Sequence, residues 1–110
     1  MKGCSLRFYV QESQIQGGQL LYEWLLEQAK QLGIGGGSAF RSIAGFGRHG
    51  KLREQHFFEL AGSTTVLIEF LVSRNEADTL LALAHDSGVA LFYACIDAEF
   101  GVIASASERP

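Results

Sequence analysis

The sequence is poor in cysteine: it has only two, Cys4 and Cys95, and they lie near opposite ends of the chain. No C-x-x-C motif is present, so neither a zinc knuckle nor a thioredoxin-type site is expected. We predict two buried free thiols in a reducing compartment. There is no signal-peptide core, and the apolar runs are too short to span a bilayer. The sequence therefore predicts a cytoplasmic protein without membrane insertion.

Charge is also scarce. Charged residues make up 19% of the 110 residues, and nine basic against twelve acidic side chains give a net charge of −3. That balance argues against a nucleic-acid partner. A hydrophobic content of 47% is sufficient for one well-packed domain, which we expect at residues 1–103, with a flexible tail at 104–110. So little charge on a small domain also suggests a surface shared with another subunit.

Hydrophobic periodicity indicates the order of elements. Leu6, Phe8 and Val10 alternate with polar residues, which is typical of a strand. Ser73 and Glu76 fit the capping box of a helix. We predict strands at residues 4–10, 38–46, 64–72 and 91–96, helices at residues 19–32 and from Ser73 to Ser87, and a further strand-like stretch at residues 55–60.

This order predicts an α+β fold of the ferredoxin-like type, a βαββαβ sandwich. Its four-stranded antiparallel sheet would carry both helices on one face. The other face would carry Tyr9, Leu67, Leu71 and Tyr93, or else the residues next to them in each strand. Either set is too apolar to face water. We therefore expect the sheet to pack against other subunits.

A glycine-rich segment at residues 45–50 matches G-x-G-x-x-G, but no helical pattern follows it, so a dinucleotide site is not expected. Four of the nine basic residues fall nearby, namely Arg41, Arg48, Lys51 and Arg53. Arginine beside free backbone N–H groups can hold a phosphate or carboxylate. A solvated loop with ordinary surface charge explains the same pattern, and both interpretations stay open.

Signs of catalysis are missing from the sequence. The spacing of His49 and His56 fits no standard metal site, and no serine has the G-x-S-x-G frame of a nucleophile elbow. We therefore predict a protein that is not an enzyme and has no resident metal or cofactor.

Three segments carry a resemblance to a known family: residues 20–23 (LLYE), 41–47 (RSIAGFG) and 65–70 (TVLIEF). They resemble short bacterial and archaeal PII-like proteins, known mainly as a domain of unknown function. Residues 45–48 also resemble the strand end that enters the T-loop of nitrogen-regulatory PII proteins. The resemblance implies a homotrimer with ligand sites in the clefts between subunits.

The resemblance further implies a regulatory role: sensing a small anion, with an adenine nucleotide as a candidate, and modulating a membrane transporter or an enzyme. Residues 48–56 would form a shortened T-loop. The ligand-binding residues that we expect are Gly45, Phe46, Gly47, Arg48, Lys51 and Arg53.

Two departures from the PII pattern weaken the nucleotide assignment. Residues 87–90 and 102–105 lack the cations that PII proteins place there. The alternative is a metal-responsive trimer resembling the CutA family, which would use His49, His56 and the cysteines.

Overall fold

The structure is a computed structural model that describes residues 1–46 and 64–104. The predicted strand-like stretch at residues 55–60 lies outside the described residues. In chain order the elements are β1 (Lys2–Gln11), β2 (Ile15–Gln16), β3 (Gln19–Leu20), α1 (Leu21–Gln31), β4 (Ser38–Arg41), β5 (Thr65–Val72), α2 (Arg74–Asp86) and β6 (Phe92–Glu99).

The main sheet has the spatial order β4-β5-β1-β6, and every neighbouring pair is antiparallel. β1 and β5 are central among the described strands, while β4 and β6 flank them. Together with α1 and α2, this arrangement confirms the predicted α+β, ferredoxin-like βαββαβ fold.

The core lies between the sheet and the two helices. Phe8 of β1 and Phe70 of β5 meet edge to face, with ring centroids 6.3 Å apart. The buried side chains of α1 recur every four residues, so they lie on one face of the helix. The buried helical residues are Leu21, Leu25 and Ala29 of α1 and Ala77, Leu80 and Ala84 of α2.

Helix α1 begins two residues later than predicted because Gln19 and Leu20 belong to a small hairpin. They pair with Ile15–Gln16 around a turn at Gly17 and Gly18. These glycines have φ of +60° and +81°, which fits the two-residue hairpin turn that requires left-handed backbone. Gln19 and Leu20, which helical periodicity assigns to α1, therefore form hairpin hydrogen bonds instead.

Two strands differ in length from the prediction because their partners set their ends. β4 stops at Arg41 rather than residue 46, since its partner β5 begins at Thr65, opposite Ser42. β6 runs on to Glu99 rather than residue 96, since β1 offers pairing as far as Lys2. Strand length here depends on the neighbour and not only on the segment's own pattern.

The direction of Tyr93 and Cys95 corrects the predicted second face of the sheet. Tyr93 is opposite Phe8 and Cys95 is opposite Leu6, and both partners point into the core. Residues paired directly across an antiparallel ladder share a face, so Tyr93 and Cys95 lie on the helix side.

The start of α2 confirms the predicted capping box. The Ser73 hydroxyl accepts a hydrogen bond from the Glu76 backbone N–H at 3.1 Å. The Glu76 carboxylate in turn accepts from the Ser73 backbone N–H at 2.9 Å. Two of the N–H groups that a helix start leaves unpaired are thereby satisfied.

Candidate functional site

Glu12, Arg41 and Thr64 meet at the end of the sheet where β1 and β4 finish and β5 starts; we call them the loop-base cluster. Arg41 Nε donates to Glu12 Oε2 at 2.9 Å, and Arg41 Nη2 donates to Glu12 Oε1. Thr64 Oγ1 donates to Glu12 Oε2 at 2.9 Å. One carboxylate thus joins two residues that flank segment 47–63 in the sequence.

Backbone hydrogen bonds reinforce the loop-base cluster. The Glu12 N–H donates to the Thr64 carbonyl at 2.6 Å, and the Ser42 N–H donates to the Thr65 carbonyl at 2.9 Å. Both bonds extend the sheet ladders by one residue. The side chains of the cluster are therefore positioned by main chain that is itself paired.

The electrostatics of the cluster favour the ionised pair. Hydrogen bonds from Arg41 and Thr64 lower the pKa of Glu12, and the Glu12 carboxylate raises the pKa of Arg41. A bidentate arginine–carboxylate contact is among the stronger polar contacts available at a surface. Arg41, predicted as part of a basic group that could hold an anion, is therefore already engaged by an internal carboxylate.

Of the six predicted ligand-binding residues, the structure describes two. Gly45 and Phe46 both follow β4 and are exposed, and a Cβ at Gly45 would meet no atom within 4 Å. Gly47, Arg48, Lys51 and Arg53 lie outside the described residues, as do His49 and His56. The predicted anion site therefore stays a prediction.

The sheet surface opposite the helices has a polar centre. Arg7 Nε donates to Glu69 Oε2 at 3.1 Å and to Ser5 Oγ at 3.2 Å. The Ser5 hydroxyl donates to the same Glu69 oxygen at 3.0 Å. These hydrogen bonds join the side chains of Ser5, Arg7 and Glu69 to one another.

Apolar side chains surround that centre, and we call the whole surface the open face. Tyr9 and Phe92 pack with ring centroids 5.5 Å apart. Phe40, Leu71 and Ile96 are respectively 51%, 47% and 46% exposed. The open face comprises Ser5, Arg7 and Tyr9 of β1, Ser38 and Phe40 of β4, Leu67, Glu69 and Leu71 of β5, and Phe92, Ala94 and Ile96 of β6.

A groove of about 410 Å³ runs between α2 and β6 on the helix side. Leu81, His85, Val89 and Tyr93 contribute to its lining. Near the loop after α2, the Gln14 amide donates to the Ala90 carbonyl at 3.4 Å. Most of the lining is apolar, so the groove could contact a ligand through hydrophobic side chains, but its described lining residues include no cluster of basic residues to bind an anion.

Comparison with known proteins identifies the family to which the chain belongs. Residues 3–88 match the DUF190 family, described as "Uncharacterized ACR, COG1993". The chain belongs to the DUF190 family. A UPF0166 protein of Aquifex aeolicus (strain VF5) is 36% identical over 66 residues, which is 60% of this chain. The match spans 63% of the length of that curated relative.

In residues 1–46 and 64–104, no three His, Cys, Asp or Glu side chains lie close enough to hold a metal ion. Within the same ranges, no helix combines the length and the apolar character needed to cross a bilayer.

Sequence reasoning did not find Glu12 or Thr64. Glu12 stands out only as an acidic residue after the first strand, and Thr64 only as a strand start. Their meeting with Arg41 follows from the register in which Gln11 lies opposite Thr65 and Arg41 opposite Val66. These two pairings join residues 54 and 25 positions apart in the sequence, so they leave no local pattern.

Proposed function

We propose that this DUF190 chain is a PII-like regulatory protein: a non-enzymatic homotrimer that senses a small anionic ligand in clefts between subunits. The specific ligand class to test is an adenine nucleotide. In this proposal, ligand binding alters the contact with a partner in the cytoplasm, such as a membrane transporter or a regulated enzyme.

The observation that carries the proposal is the open face. Its large side chains, among them Phe40, Leu71 and Ile96, are about half exposed in the described chain. Burying apolar surface contributes about 25 cal/mol per Å² before association costs are subtracted. A second copy of the same subunit can supply that cover, and the Arg7–Glu69 pair would be buried with its Nε–Oε2 hydrogen bond already formed.

The anion-binding part of the proposal rests on the basic residues beside Gly45. Arg48 is assigned as the principal contact, with Lys51 and Arg53 in support. A guanidinium can hold a phosphate or carboxylate with two parallel hydrogen bonds, whereas an ammonium acts as a point charge. Because Arg41 is paired with Glu12, the ligand depends on the three cations that follow it.

The affinity for a triphosphate should be modest. The two later segments that carry cations in PII proteins have none here, at residues 87–90 and 102–105. Losing two charge-assisted hydrogen bonds, at roughly 1.5–3 kcal/mol each, weakens binding by on the order of a hundredfold or more.

Calorimetry with ATP, ADP and AMP tests the ligand directly. We expect heat with at least one nucleotide, and an affinity about ten- to a hundredfold lower in Arg48→Ala. Lys30→Ala, which removes an exposed cation on α1, is the matched control and should bind as the parent does. Equal affinity in the parent and Arg48→Ala would remove Arg48 from the site, and no heat with any nucleotide would reject the nucleotide ligand.

A thermal-shift screen of nucleotides, small anions and divalent metals tests the alternative function. A shift with metals alone would favour the CutA-like alternative, whose histidines His49 and His56 lie outside the described residues. A shift with nucleotides or small anions and none with metals would favour the anion-sensing regulator.

A further inference from the structure

The two cysteines of the chain, 91 positions apart in sequence, meet on the helix side of the sheet. Cys4 lies opposite Asp97, and Cys95 lies opposite Leu6. The thiols are therefore diagonal neighbours across β1 and β6, and the neighbouring Cys95 thiol contributes to the raised pKa of Cys4. Both are free in the structure; Cys4 is fully buried, while Cys95 is partly exposed.

Arg74, the first residue of α2, lies over Cys95. Its Nη1 donates to Cys95 Sγ at 3.1 Å, and its Nη2 donates to Asp97 Oδ1 at 3.0 Å. Asp97 thus holds the guanidinium in place above the sulfur. The guanidinium is therefore in direct contact with the sulfur and can stabilise negative charge that develops on it during a reaction.

The two thiols differ in their surroundings. Burial, together with the hydrogen bond to Cys95, raises the pKa of the Cys4 thiol to about 11. The attraction of Cys95, followed by that of Cys4, raises the pKa of Arg74. Cys4 is therefore held as a buried protonated thiol, and Cys95 is the sulfur that an incoming reagent and a cation can both reach.

We propose that Cys4 and Cys95 form an oxidisable dithiol that closes to a disulfide between β1 and β6 when the protein meets a hydroperoxide. Cys95 is the attacking residue and Cys4 the resolving residue. Arg74 acts as a positioning residue through its contact with the Cys95 sulfur.

The reaction balances in two steps. The Cys95 thiolate attacks the terminal peroxide oxygen, an S–O bond forms, the O–O bond breaks, and the leaving alkoxide takes a proton to become an alcohol. The Cys4 sulfur then attacks the Cys95 sulfenic acid, an S–S bond forms, and hydroxide leaves with the Cys4 proton as water. The dithiol is oxidised by two electrons, and the hydroperoxide is reduced by the same two.

The geometry predicts an easily reduced bond. Diagonal neighbours in an antiparallel sheet have Cα atoms about 7–8 Å apart, whereas a relaxed disulfide needs about 4.4–6.8 Å. Closure must therefore draw β6 toward β1. The resulting strain raises the reduction potential, which is the property of a reversible rather than a structural disulfide.

The test uses the full chain treated with hydrogen peroxide at neutral pH. The expected product is a monomeric chain on a non-reducing gel, lighter by two hydrogen atoms, with no free thiol in denaturant and a Cys4–Cys95 linkage in the peptide map. Dithiothreitol should restore both thiols. Two unreacted thiols, a disulfide between chains only, or sulfinic acid on Cys95 with Cys4 still free would each overturn the proposal.

Variants separate the roles of the residues. In Cys4→Ser, or in Cys4→Ala if the serine variant does not fold, Cys95 should accumulate as a sulfenic acid that dimedone traps. Arg74→Gln should slow the reaction with peroxide by about fivefold or more, because it removes the charged hydrogen bond that the guanidinium donates to the Cys95 sulfur. Arg74→Lys should retain most of the rate, and Lys30→Gln, a charge removal on α1, should leave it unchanged. An Arg74→Gln rate equal to the parent's would overturn the role of Arg74, and dimedone-labelled Cys4 in Cys95→Ser would reverse the assignment of the attacking thiol.

Discussion

Arg41 and Glu12 form a bidentate pair that bridges the ends of β4 and β1, with Nε and Oε2 2.9 Å apart. Thr64 donates to the same carboxylate from the start of β5. The pair thus ties three strand ends together beside the segment to which the sequence assigns anion binding. Any ligand that recruits Arg41 must first compete with Glu12.

Removing the Glu12 charge should make stability less dependent on acid pH. Folding lowers the pKa of Glu12 below the ordinary value of 4.5. The ionised carboxylate therefore contributes fully to the free energy of unfolding above about pH 4.5, and this contribution is lost as the pH falls through the pKa of the folded state. Glu12→Gln should therefore be less stable than the parent at about pH 7, and the difference should shrink toward about pH 3. Urea unfolding at both pH values measures this. Glu27→Gln, at an exposed position on α1, serves as control, and a gap between Glu12→Gln and parent that stays constant with pH would contradict the linkage.

The glycines before β4 should differ sharply in their tolerance of alanine. A Cβ at Gly37 would clash with two ring carbons of Phe70, whereas a Cβ at Gly36 would have no described atom within 4 Å. Since the ring of Phe70 is buried in the core, Gly37→Ala should cost about 1–3 kcal/mol of unfolding free energy. Gly36→Ala is the matched control and should be neutral or slightly stabilising. Denaturant unfolding of the two variants checks the prediction, and similar midpoints would show that the core yields to the added methyl group.

Disrupting the open face should weaken self-association without unfolding the subunit. Leu71 is half exposed on β5, and burying a leucine side chain contributes about 1.5–3 kcal/mol. Leu71→Asp should therefore weaken association by at least about tenfold. Light scattering of the parent should give the mass of a trimer, with the variant shifted toward a monomer near 12.0 kDa. Ile15→Asp, at an exposed site in the β2–β3 hairpin, should associate as the parent does; a parent that is monomeric at micromolar concentration would refute the trimer.

The capping box of α2 should contribute measurably to stability. Ser73→Ala removes the acceptor of the Glu76 N–H and leaves that group to water. The expected loss is about 0.5–2 kcal/mol of unfolding free energy. Ser73→Asp keeps an acceptor at the cap and should restore most of the loss, measured by thermal unfolding. A Ser73→Ala variant as stable as the parent would mean that the cap does not contribute to stability.

Local pattern was sufficient to predict the two helices, the four strands of the main sheet and their order, but not the β2–β3 hairpin. The alternation along β5 separates buried Val66 and Ile68 from Leu67 on the open face, as expected from a period of two. The capping box at Ser73 is likewise a short-range signal, because both of its hydrogen bonds join residues three apart. Patterns of this kind depend on neighbours in the chain, and the sequence contains them in full.

Element ends and side-chain encounters depended on the tertiary structure. β4 ends at Arg41, which lies opposite Val66 of β5, and α1 is shortened because Gln19 pairs in a hairpin. The faces of Tyr93 and Cys95 followed from the register of β6 against β1.

The sequence by itself determined the composition of the core, the helix and strand periods, and the concentration of basic residues after Arg41. Only the tertiary structure decided that Glu12 neutralises Arg41 and that Cys4 lies beside Cys95. The physical reason is that a one-residue change of register moves every side chain of a strand to the other face. The register depends on all the contacts between strands that are distant in the sequence. It therefore cannot be predicted from any short stretch of the chain.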